Sequence, residues 1–259
     1  MVSPENGSDV GPEIQEGEAL DGLLDGRLKV LQKKRGYRFS VDALLLAHFV
    51  RLRRGDRICD LGTGCGVLPL LLAVRRPGIR AVGVELQPEL ADLARRNVIL
   101  NALADRIEIL PGDIRNIKPL LPRGSFDLVV SNPPYRRVCS GRVNPDSEKA
   151  AARHEIKGTI EDFVRAARFL LKPDGRAFFI YAAVRSVEIL ARMRAAGIEP
   201  KRLRMVHDDR GTPGAFVLIE GRCGGGEELK VEPPFFLREA GEYTEEMKRL
   251  FSGLSPANP

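Results

Sequence analysis

The sequence predicts an α/β protein whose seven-stranded, mostly parallel sheet carries helices on both faces. Its strand candidates are short, apolar, β-branched runs bounded by glycine, proline or polar residues, as in buried parallel strands. Segments with helical periodicity alternate with these runs, and such alternation requires right-handed crossovers between parallel strands. The predicted strands cover residues 57–61, 80–84, 106–110, 126–131, 176–182, 202–206 and 215–220. The predicted helices cover residues 40–51, 67–74, 88–101, 159–171 and 186–196, with a short final helix after Thr244.

The domain organisation follows from length and composition. The chain has 259 residues, of which 43% are hydrophobic, enough for one sizeable core or a core with a modest appendage. Residues 1–26 contain seven acidic residues and no Lys or Arg, and they lack hydrophobic periodicity. We therefore expect residues 1–26 to be an acidic, largely disordered leader and residues 27–259 to form a single domain. A C-terminal extension is expected from about residue 233, packed on the domain surface.

The balance of charge favours a polyanionic partner. The chain carries 41 Lys and Arg against 35 Asp and Glu, a net charge of +6, and the part after the acidic leader carries +13. No apolar run approaches the length of a membrane span, and the first residues lack the pattern of a secretory signal. The four cysteines show no Cys-x-x-Cys spacing, and no His, Cys or Asp cluster has metal-ligand spacing. We expect a cytoplasmic protein with reduced thiols, without a metal or a membrane partner.

The stretch Asn132-Pro133-Pro134-Tyr135 follows directly on the predicted strand 126–131. Two consecutive prolines cannot continue a hydrogen-bonded ladder, so the chain leaves the sheet there, at the edge where open α/β sheets bind ligands. The amide oxygen of Asn132 and the carbonyl of Pro133 can each accept one hydrogen of an amino group, and Tyr135 can stack on a flat ring. The stretch favours a site for a planar molecule with an NH2 group, although Asn and Pro are also ordinary turn residues.

A glycine-rich segment from Asp60 to Gly66 lies between the first predicted strand of the sheet and the helix 67–74. Glycine at every second position lets the backbone turn tightly and lie against a ligand. The helix start behind the loop supplies unpaired N–H groups. The spacing differs from the G-x-G-x-x-G of dinucleotide-binding loops. The acidic residue Asp60, two positions before the first glycine, would repel a pyrophosphate and suits an ammonium group.

A carboxylate follows each of the next two predicted strands. Glu85 is placed to accept hydrogen bonds from both hydroxyls of a ribose, and Asp113 could accept one from an adenine amino group. The ligand so described has an α-amino group, a ribose, an adenine and no phosphate, which fits S-adenosylmethionine and does not fit NAD. The residues expected to contact this cofactor are Asp60, Gly62, Thr63, Gly64, Gly66, Glu85, Asp113 and Asn132.

These motifs, in this order and at these strand ends, resemble those of class I S-adenosylmethionine-dependent methyltransferases, which have a Rossmann-like fold. The resemblance implies that the last strand of the sheet is antiparallel. The tetrapeptide that begins at Asn132 is further similar to that of enzymes that methylate a planar amino nitrogen of adenine, cytosine, guanine or glutamine.

Within that group, the chain is similar to bacterial enzymes that methylate N6 of adenine 37, beside the anticodon of a valine tRNA. The likeness covers roughly residues 28–250 and does not include the acidic leader. It includes Tyr37-Arg-Phe-Ser-Val-Asp42, Ala152-Arg-His-Glu155, Leu170-Leu-Lys-Pro-Asp-Gly175 and Gly241-Glu-Tyr-Thr-Glu-Glu-Met247. The resemblance implies methyl transfer to an exocyclic adenine nitrogen in a tRNA anticodon stem-loop, by a monomeric enzyme.

The residues around the tetrapeptide are expected to perform this reaction. The expected catalytic residues are Asn132, Pro133 and Tyr135. The expected substrate-binding residues are Tyr135, Arg136, Arg137 and Phe39. Phe39 belongs to a segment that could lie over the crevice as a partial lid or simply pack under the start of a helix. His154 and Glu155 could supply a general base or form a structural pair at the foot of a helix.

Three alternatives stay open at this point. A protein glutamine N5-methyltransferase acting on a release factor would use the same tetrapeptide on a side-chain amide. Such enzymes carry a long helical domain before the glycine loop, whereas about forty residues precede the first predicted helix here. The second alternative methylates an amino group in ribosomal RNA, and the third is an RNA-associated protein that binds the cofactor without turnover.

Overall fold

The computed structural model describes residues 12–34, 41–134 and 158–253. In this part of the chain every predicted strand and helix is present. The strands are β1 (Glu18–Leu23), β2 (Leu28–Lys33), β3 (Arg57–Leu61), β4 (Arg80–Glu85), β5 (Ile107–Pro111), β6 (Phe126–Ser131), β7 (Leu171–Ala182), β8 (Ile198–His207), β9 (Gly214–Cys223), β10 (Lys230–Val231), β11 (Phe235–Phe236), β12 (Arg238–Glu239) and β13 (Glu242–Tyr243). The helices are α1 (Val41–Phe49), α2 (Val67–Arg75), α3 (Pro88–Leu100), α4 (Ile160–Leu170), α5 (Ser186–Ala195) and α6 (Glu245–Ser252), with short 3-10 helices at Ile114–Asn116 and Ala183–Arg185.

The main sheet has nine strands among the described residues, in the order β10-β8-β9-β7-β6-β3-β4-β5, with β11 also paired to β8. Strands β3 to β7 are parallel to one another, and β9 runs antiparallel between β7 and β8, as the resemblance implied. The predicted count of seven strands was wrong, because β10 and β11 add to the outer edge of β8. Each is two residues long, too short to show any periodicity in the sequence.

Of the predicted acidic leader the structure describes residues 12–26, which include β1, so the prediction of a largely disordered segment does not hold for these residues. Strand β1 pairs antiparallel with β2 across the boundary predicted at residue 26. Glu18 carries the hairpin onto α3, because its carboxylate forms a salt bridge with Arg96 that is mostly shielded from solvent. The leader therefore packs on the helical layer through a charge pair that hydrophobic periodicity does not reveal.

Each face of the sheet has its own hydrophobic core, which confirms the predicted helices on both faces. Successive residues of a strand point to opposite faces: Leu128 and Val130 of β6 face one core, whereas Val129 faces the other. The first core contains α1, α2 and α3 with strand β2 and helix α6, and the second contains α4 and α5. In the described part of the chain, no helix is both long and apolar enough to cross a membrane.

Candidate active site

Four parallel strands end at one level of the sheet. Asp60 of β3 lies beside Val130 of β6, which puts Asn132 level with the start of the glycine loop. Glu85 at the end of β4 lies beside Pro111 at the end of β5. Since neighbouring strands lie about 4.8 Å apart, the edge from β6 to β5 spans roughly 14 Å. The sheet thus places the predicted polar groups in a row along its carboxyl edge.

The glycine loop adopts a backbone conformation that favours glycine. The φ angles of Gly62, Gly64 and Gly66 are 73°, 60° and 80°, all in the left-handed region. A Cβ on Gly66 would also come within 3.1 Å of the side chain of Ala94 in α3, so the loop packs tightly on that helix. The positive φ angles favour glycine at all three positions, and the close approach of Ala94 adds a second constraint at Gly66.

Strand β4 fixes the loop from the other side. The backbone N–H groups of Gly62 and Thr63 both donate to the carbonyl of Val84, at 2.9 and 3.0 Å. The N–H of Gly64 donates to the Oε2 atom of Glu85 at 2.8 Å. The loop is therefore held against the strand end that carries the expected ribose-binding carboxylate.

The carboxylate of Glu85 is buried and has a protein donor on each oxygen. Besides the bond from Gly64, its Oε1 atom accepts from the backbone N–H of Gln87 at 2.9 Å. The side-chain amide of Gln87 also donates to Oε1, at 3.4 Å. A carboxylate oxygen has two acceptor sites, so Oε2 keeps capacity for a further donor such as a hydroxyl. Glu85 thus organises the loop and can still accept from a ligand.

Asp60 is a buried carboxyl group beneath the loop. The pKa of Asp60 is raised to about 7, mainly by burial; a hydrogen bond from the Thr63 hydroxyl acts to lower it, and the nearby charge of Glu85 acts to raise it. That hydrogen bond is 2.6 Å long. A cationic group placed beside Asp60 would favour its ionised form, because an opposite charge lowers a carboxyl pKa. The group is suited to an ammonium ligand.

Asn132 stands at the end of β6 with contacts that the sequence did not predict. Its Nδ2 atom donates to the Oδ2 atom of Asp42, in the first turn of α1, at 3.3 Å. The preceding residue, Ser131, is fully buried and donates its hydroxyl to the carbonyl of Leu61 at 2.8 Å. Pro133 is buried. The start of the tetrapeptide is thereby fixed to the strand that leads into the glycine loop.

Asp113 lies after β5 on the same edge of the sheet, but its carboxylate is turned to a neighbouring guanidinium. It caps the 3-10 helix Ile114–Asn116 by accepting from the backbone N–H of Arg115. The side chain of Arg115 forms a salt bridge with it at 2.6 Å and lowers the pKa of Asp113. The structure brings Asp113 to the expected edge, and its role toward an adenine stays a prediction.

Several expected residues lie outside the described part of the chain. They are Phe39, Tyr135, Arg136 and Arg137, together with the candidate general-base pair His154 and Glu155. Their predicted roles stay predictions.

Two residues of the site escaped the sequence analysis. Asp42 lies in the first turn of α1, where an acidic residue is ordinary, yet it is only 5% exposed and contacts Asn132. Asn97 of α3 is fully buried, and its Nδ2 donates to the carbonyls of Leu31 and Cys65, both at 2.9 Å. One signal in the sequence could have identified Asn97: it is an amide on the apolar face of the predicted helix 88–101. Buried polar groups are hydrogen-bonded, so an amide at such a position indicates a specific contact. Asn97 ties the glycine loop to β2.

The polar groups along the carboxyl edge of the sheet fit S-adenosylmethionine. A buried carboxyl for an ammonium lies on β3, a buried carboxylate with remaining acceptor capacity lies on β4, and a third carboxylate follows β5. The described glycine loop contains no Lys or Arg that would attract a phosphate. This sheet order with this edge is the architecture of a class I, Rossmann-like methyltransferase.

Comparison with known proteins defines the family. The sequence profile of the family described as methyltransferase small domain matches residues 40–194. The chain belongs to this family, which confirms the predicted class of methyltransferase and S-adenosylmethionine as its cofactor.

Relatives of known description share part or most of the chain. A protein of Porphyromonas gingivalis named tRNA1(Val) (adenine(37)-N6)-methyltransferase is 40% identical over 47% of this chain and 48% of its own length. The chain therefore spans about half the length of that relative. A protein of Dickeya chrysanthemi with the same name is 34% identical over 73% of this chain and 74% of its own.

Solved structures agree with the fold. A protein of Agrobacterium tumefaciens described as a predicted O-methyltransferase superposes with a TM-score of 0.67 at 26% identity, over 82% of this chain and 96% of that one. Geranyl diphosphate C-methyltransferase from Streptomyces coelicolor, solved with S-adenosyl-L-homocysteine, has a TM-score of 0.52 at 15% identity, over 71% of this chain and 78% of that one. The second likeness concerns the fold alone.

Proposed function

We propose that the protein transfers a methyl group from S-adenosylmethionine to the exocyclic N6 of an adenine in tRNA, namely adenine 37 beside the anticodon of a valine tRNA. The names of the two bacterial relatives support this substrate. The observation that carries the proposal is the position of Asn132, level with the glycine loop at the carboxyl edge of the sheet. A tRNA substrate places the enzyme in the cytoplasm, and we propose that it acts as a monomer.

The reaction requires the protein mainly to position the adenine amino group relative to the methyl group. The lone pair of an adenine amino group is delocalised into the ring, so the nitrogen is a poor nucleophile. Its proton becomes acidic only after the methyl group has arrived, so a strong base is not needed beforehand. When bound, S-adenosylmethionine supplies an activated methyl group. The Oδ1 atom of Asn132 and the carbonyl of Pro133 accept the two amino hydrogens and thereby direct the lone pair toward that methyl group.

The remaining residues divide between cofactor and substrate in this proposal. Asp60 faces the ammonium group, Glu85 the ribose hydroxyls and Asp113 the adenine of the cofactor, in the order of their strands. The substrate base is held by Tyr135, and the flanking RNA is contacted by Arg136, Arg137 and Phe39. Because the anticodon loop is single-stranded, the target base leaves its stack at a modest cost.

A comparison of three substrates tests the proposal. Purified enzyme and labelled cofactor are incubated with unmodified valine tRNA, with the same tRNA carrying guanine in place of adenine 37, and with a release factor. Labelling of the first substrate alone is expected. Labelling of the release factor alone would establish the glutamine methyltransferase instead, and equal labelling of both tRNAs would refute the assignment to adenine 37.

Asn132→Ala tests the site itself. We expect a loss of at least ~10²-fold in the single-turnover rate, the scale seen when one preorganised transition-state partner is removed. Cofactor affinity, measured by calorimetry, should stay within a few-fold of wild type, because the other expected cofactor contacts, Asp60 and Glu85 among them, are unchanged. A rate close to wild type in the folded variant would contradict the role of Asn132.

A further inference from the structure

Asp42 has features that its place in a helix does not explain. It lies in the first turn of α1 and is 5% exposed, where an ordinary helix-start carboxylate would be solvated. Its Oδ2 atom accepts from the Nδ2 atom of Asn132 at 3.3 Å. A buried carboxylate is costly unless hydrogen bonds compensate it. The contact therefore joins a costly buried group to the amide at the centre of the proposed reaction.

The contact determines which end of the Asn132 amide faces the reacting base. A carboxylate only accepts hydrogen bonds, whereas an amide carries a donor end and an acceptor end. The end that meets Asp42 must therefore be Nδ2, and Oδ1 is left to point away from Asp42. We propose that Asp42 is a positioning residue that holds the Oδ1 atom of Asn132 toward the amino group of the substrate. This inference rests on the proposed function.

The helix that carries Asp42 is anchored well enough to hold that orientation. At the other end of α1, the guanidinium of Arg202 donates to the carbonyl of Phe49 at 2.6 Å, and that of Arg75 donates to the carbonyl of Val50 at 3.1 Å. Residues 43–47 of the helix are all buried. A rigid element places a supporting group more accurately than a loop does.

The test is a double-mutant cycle between the two residues. Asp42→Ala should lower the single-turnover rate at saturating substrates at least tenfold, with cofactor affinity within about threefold of wild type. In the Asn132→Ala background the same change should have an effect of less than about twofold, because a residue that acts through Asn132 has nothing left to orient. Asp42→Asn keeps an acceptor oxygen and should recover most of the rate.

Each other outcome has a distinct meaning. Full additivity of the two alanine changes would overturn the inference, as would a rate for Asp42→Asn as low as that of Asp42→Ala. If Asp42→Ala does not fold, Asp42→Val removes the acceptor while filling the space, and the same cycle is measured with it. If Asn132→Ala alone keeps the wild-type rate, the proposed role of Asn132 fails and the inference about Asp42 fails with it, whereas full additivity overturns the role of Asp42 alone.

A second, independent observation is a basic groove near the amino ends of the parallel strands, at the edge of the sheet opposite to the carboxyl edge. A cavity of about 560 Å³ is lined by Lys118, Arg123, Arg165, Arg168, Phe169 and Ala196, which we call the basic groove. Four of these six side chains are cationic and none is acidic. None of the four forms a salt bridge with a residue in the described part of the chain. Arginines nearby on α5 do: Arg192 pairs with Glu161 and Arg194 with Glu199.

Cations around one cavity repel one another, and among the described residues no acidic partner reduces this repulsion, so an anionic ligand can offset its cost. The groove lies between the C-terminal half of α4, the segment before β6 and the end of α5. Arg123 of the groove lies shortly before β6 and Asn132 directly follows it, so these two residues are separated by about the length of β6, roughly 20 Å. A ligand that reaches both places must be extended and polyanionic.

We infer that the basic groove binds backbone phosphates of the same RNA whose base is methylated. This inference also rests on the proposed function. The variant for the test combines Arg123→Ala, Arg165→Ala and Arg168→Ala. The matched control combines Arg210→Ala, Arg238→Ala and Arg249→Ala, which remove the same charge from exposed positions near the C-terminal end of the described chain.

Binding of full-length valine tRNA is measured over a range of salt concentrations. The groove variant should bind at least tenfold more weakly than the control, with a logarithmic salt slope shallower by about 2 to 3, since each lost phosphate contact removes roughly 0.9. Its cofactor affinity and its rate at saturating tRNA should match the control. Equal tRNA affinity of the two triple variants would overturn the inference. Failure of the wild type to bind tRNA would instead overturn the proposed function.

Discussion

At the scale of single residues, the buried carboxyl of Asp60 should make stability depend on pH. Burial raises the pKa of Asp60 to about 7, above the ordinary value of 3.8. Between these values the unfolded chain loses the proton while the folded chain keeps it, so the stabilising contribution is lost as pH rises through about 7. Relative to wild type, Asp60→Asn should therefore gain about 2 to 4 kcal/mol of unfolding free energy between pH 4.5 and pH 8.

Urea denaturation of both proteins at several pH values measures this difference. Thr63→Ala is the matched control, because it removes the hydrogen bond to Asp60 and leaves the titrating group in place. The difference between Asp60→Asn and wild type should level off above about pH 7.5. A difference that is constant from pH 4.5 to 8 would mean that Asp60 has an ordinary pKa.

Glu85 combines a structural and a proposed binding role in one side chain. Glu85→Ala leaves the buried N–H group of Gly64 and the partly buried N–H group of Gln87 without their acceptor, so we expect a loss of about 2 kcal/mol in unfolding free energy. Loss of the ribose contacts should also weaken S-adenosylmethionine binding by about 2 kcal/mol, roughly 30-fold. Calorimetry and urea denaturation measure the two effects. Glu85→Gln keeps an acceptor oxygen and should lose less of each, while unchanged affinity in folded Glu85→Ala would remove Glu85 from the binding site.

At the scale of the element, the attachment of α1 to the sheet depends on the buried guanidinium of Arg202. Arg202 of β8 donates to Glu220 at 2.7 Å, donates to the carbonyl of Phe49 at 2.6 Å and lies 3.7 Å from the ring centroid of Phe49. Arg202→Ala leaves Glu220 without its buried partner, so we expect a loss of about 3 kcal/mol in unfolding free energy. Urea denaturation measures this loss.

An exposed ion pair provides the control for Arg202. The side chain of Arg210 is 64% exposed and pairs with Glu239. Arg210→Ala should change the unfolding free energy by less than about 0.5 kcal/mol, because solvent screens exposed pairs. Equal effects of the two changes would mean that the buried pair adds nothing to the attachment of α1.

The elements that hydrophobic periodicity predicted are those that bury apolar side chains. Strands β3 and β6 were predicted with their observed ends, because each is an apolar run bounded by breakers. Neither strand of the β1–β2 hairpin was predicted, and its contact with α3 through the salt bridge of Glu18 with Arg96 leaves no hydrophobic pattern in the sequence. The contact of Asp42 with Asn132 joins residues 90 positions apart, and local sequence patterns carry no information about such a pair.

At the scale of the whole molecule, the distribution of charge separates the two kinds of substrate. The part of the chain after residue 26 carries a net charge of +13. If this charge serves a tRNA, affinity rests on phosphates and on released counterions, so binding should fall steeply with salt, with a logarithmic slope of about −3 or steeper. A protein substrate predicts a weak dependence on salt. Filter binding or fluorescence titration from 50 to 300 mM salt measures the slope.

The double change Arg136→Ala with Arg137→Ala locates part of that dependence beside the proposed catalytic tetrapeptide. These two arginines follow Tyr135 directly, so they are the expected contacts for phosphates that flank the target base. Their removal should weaken tRNA binding and make the slope shallower by up to about 2, because each phosphate contact contributes roughly 0.9. S-adenosylmethionine affinity should be unchanged, since the cofactor carries no phosphate. A wild-type slope near zero would contradict an RNA substrate, whereas a steep slope that the double change leaves intact would assign the phosphate contacts to other cations, such as those of the basic groove.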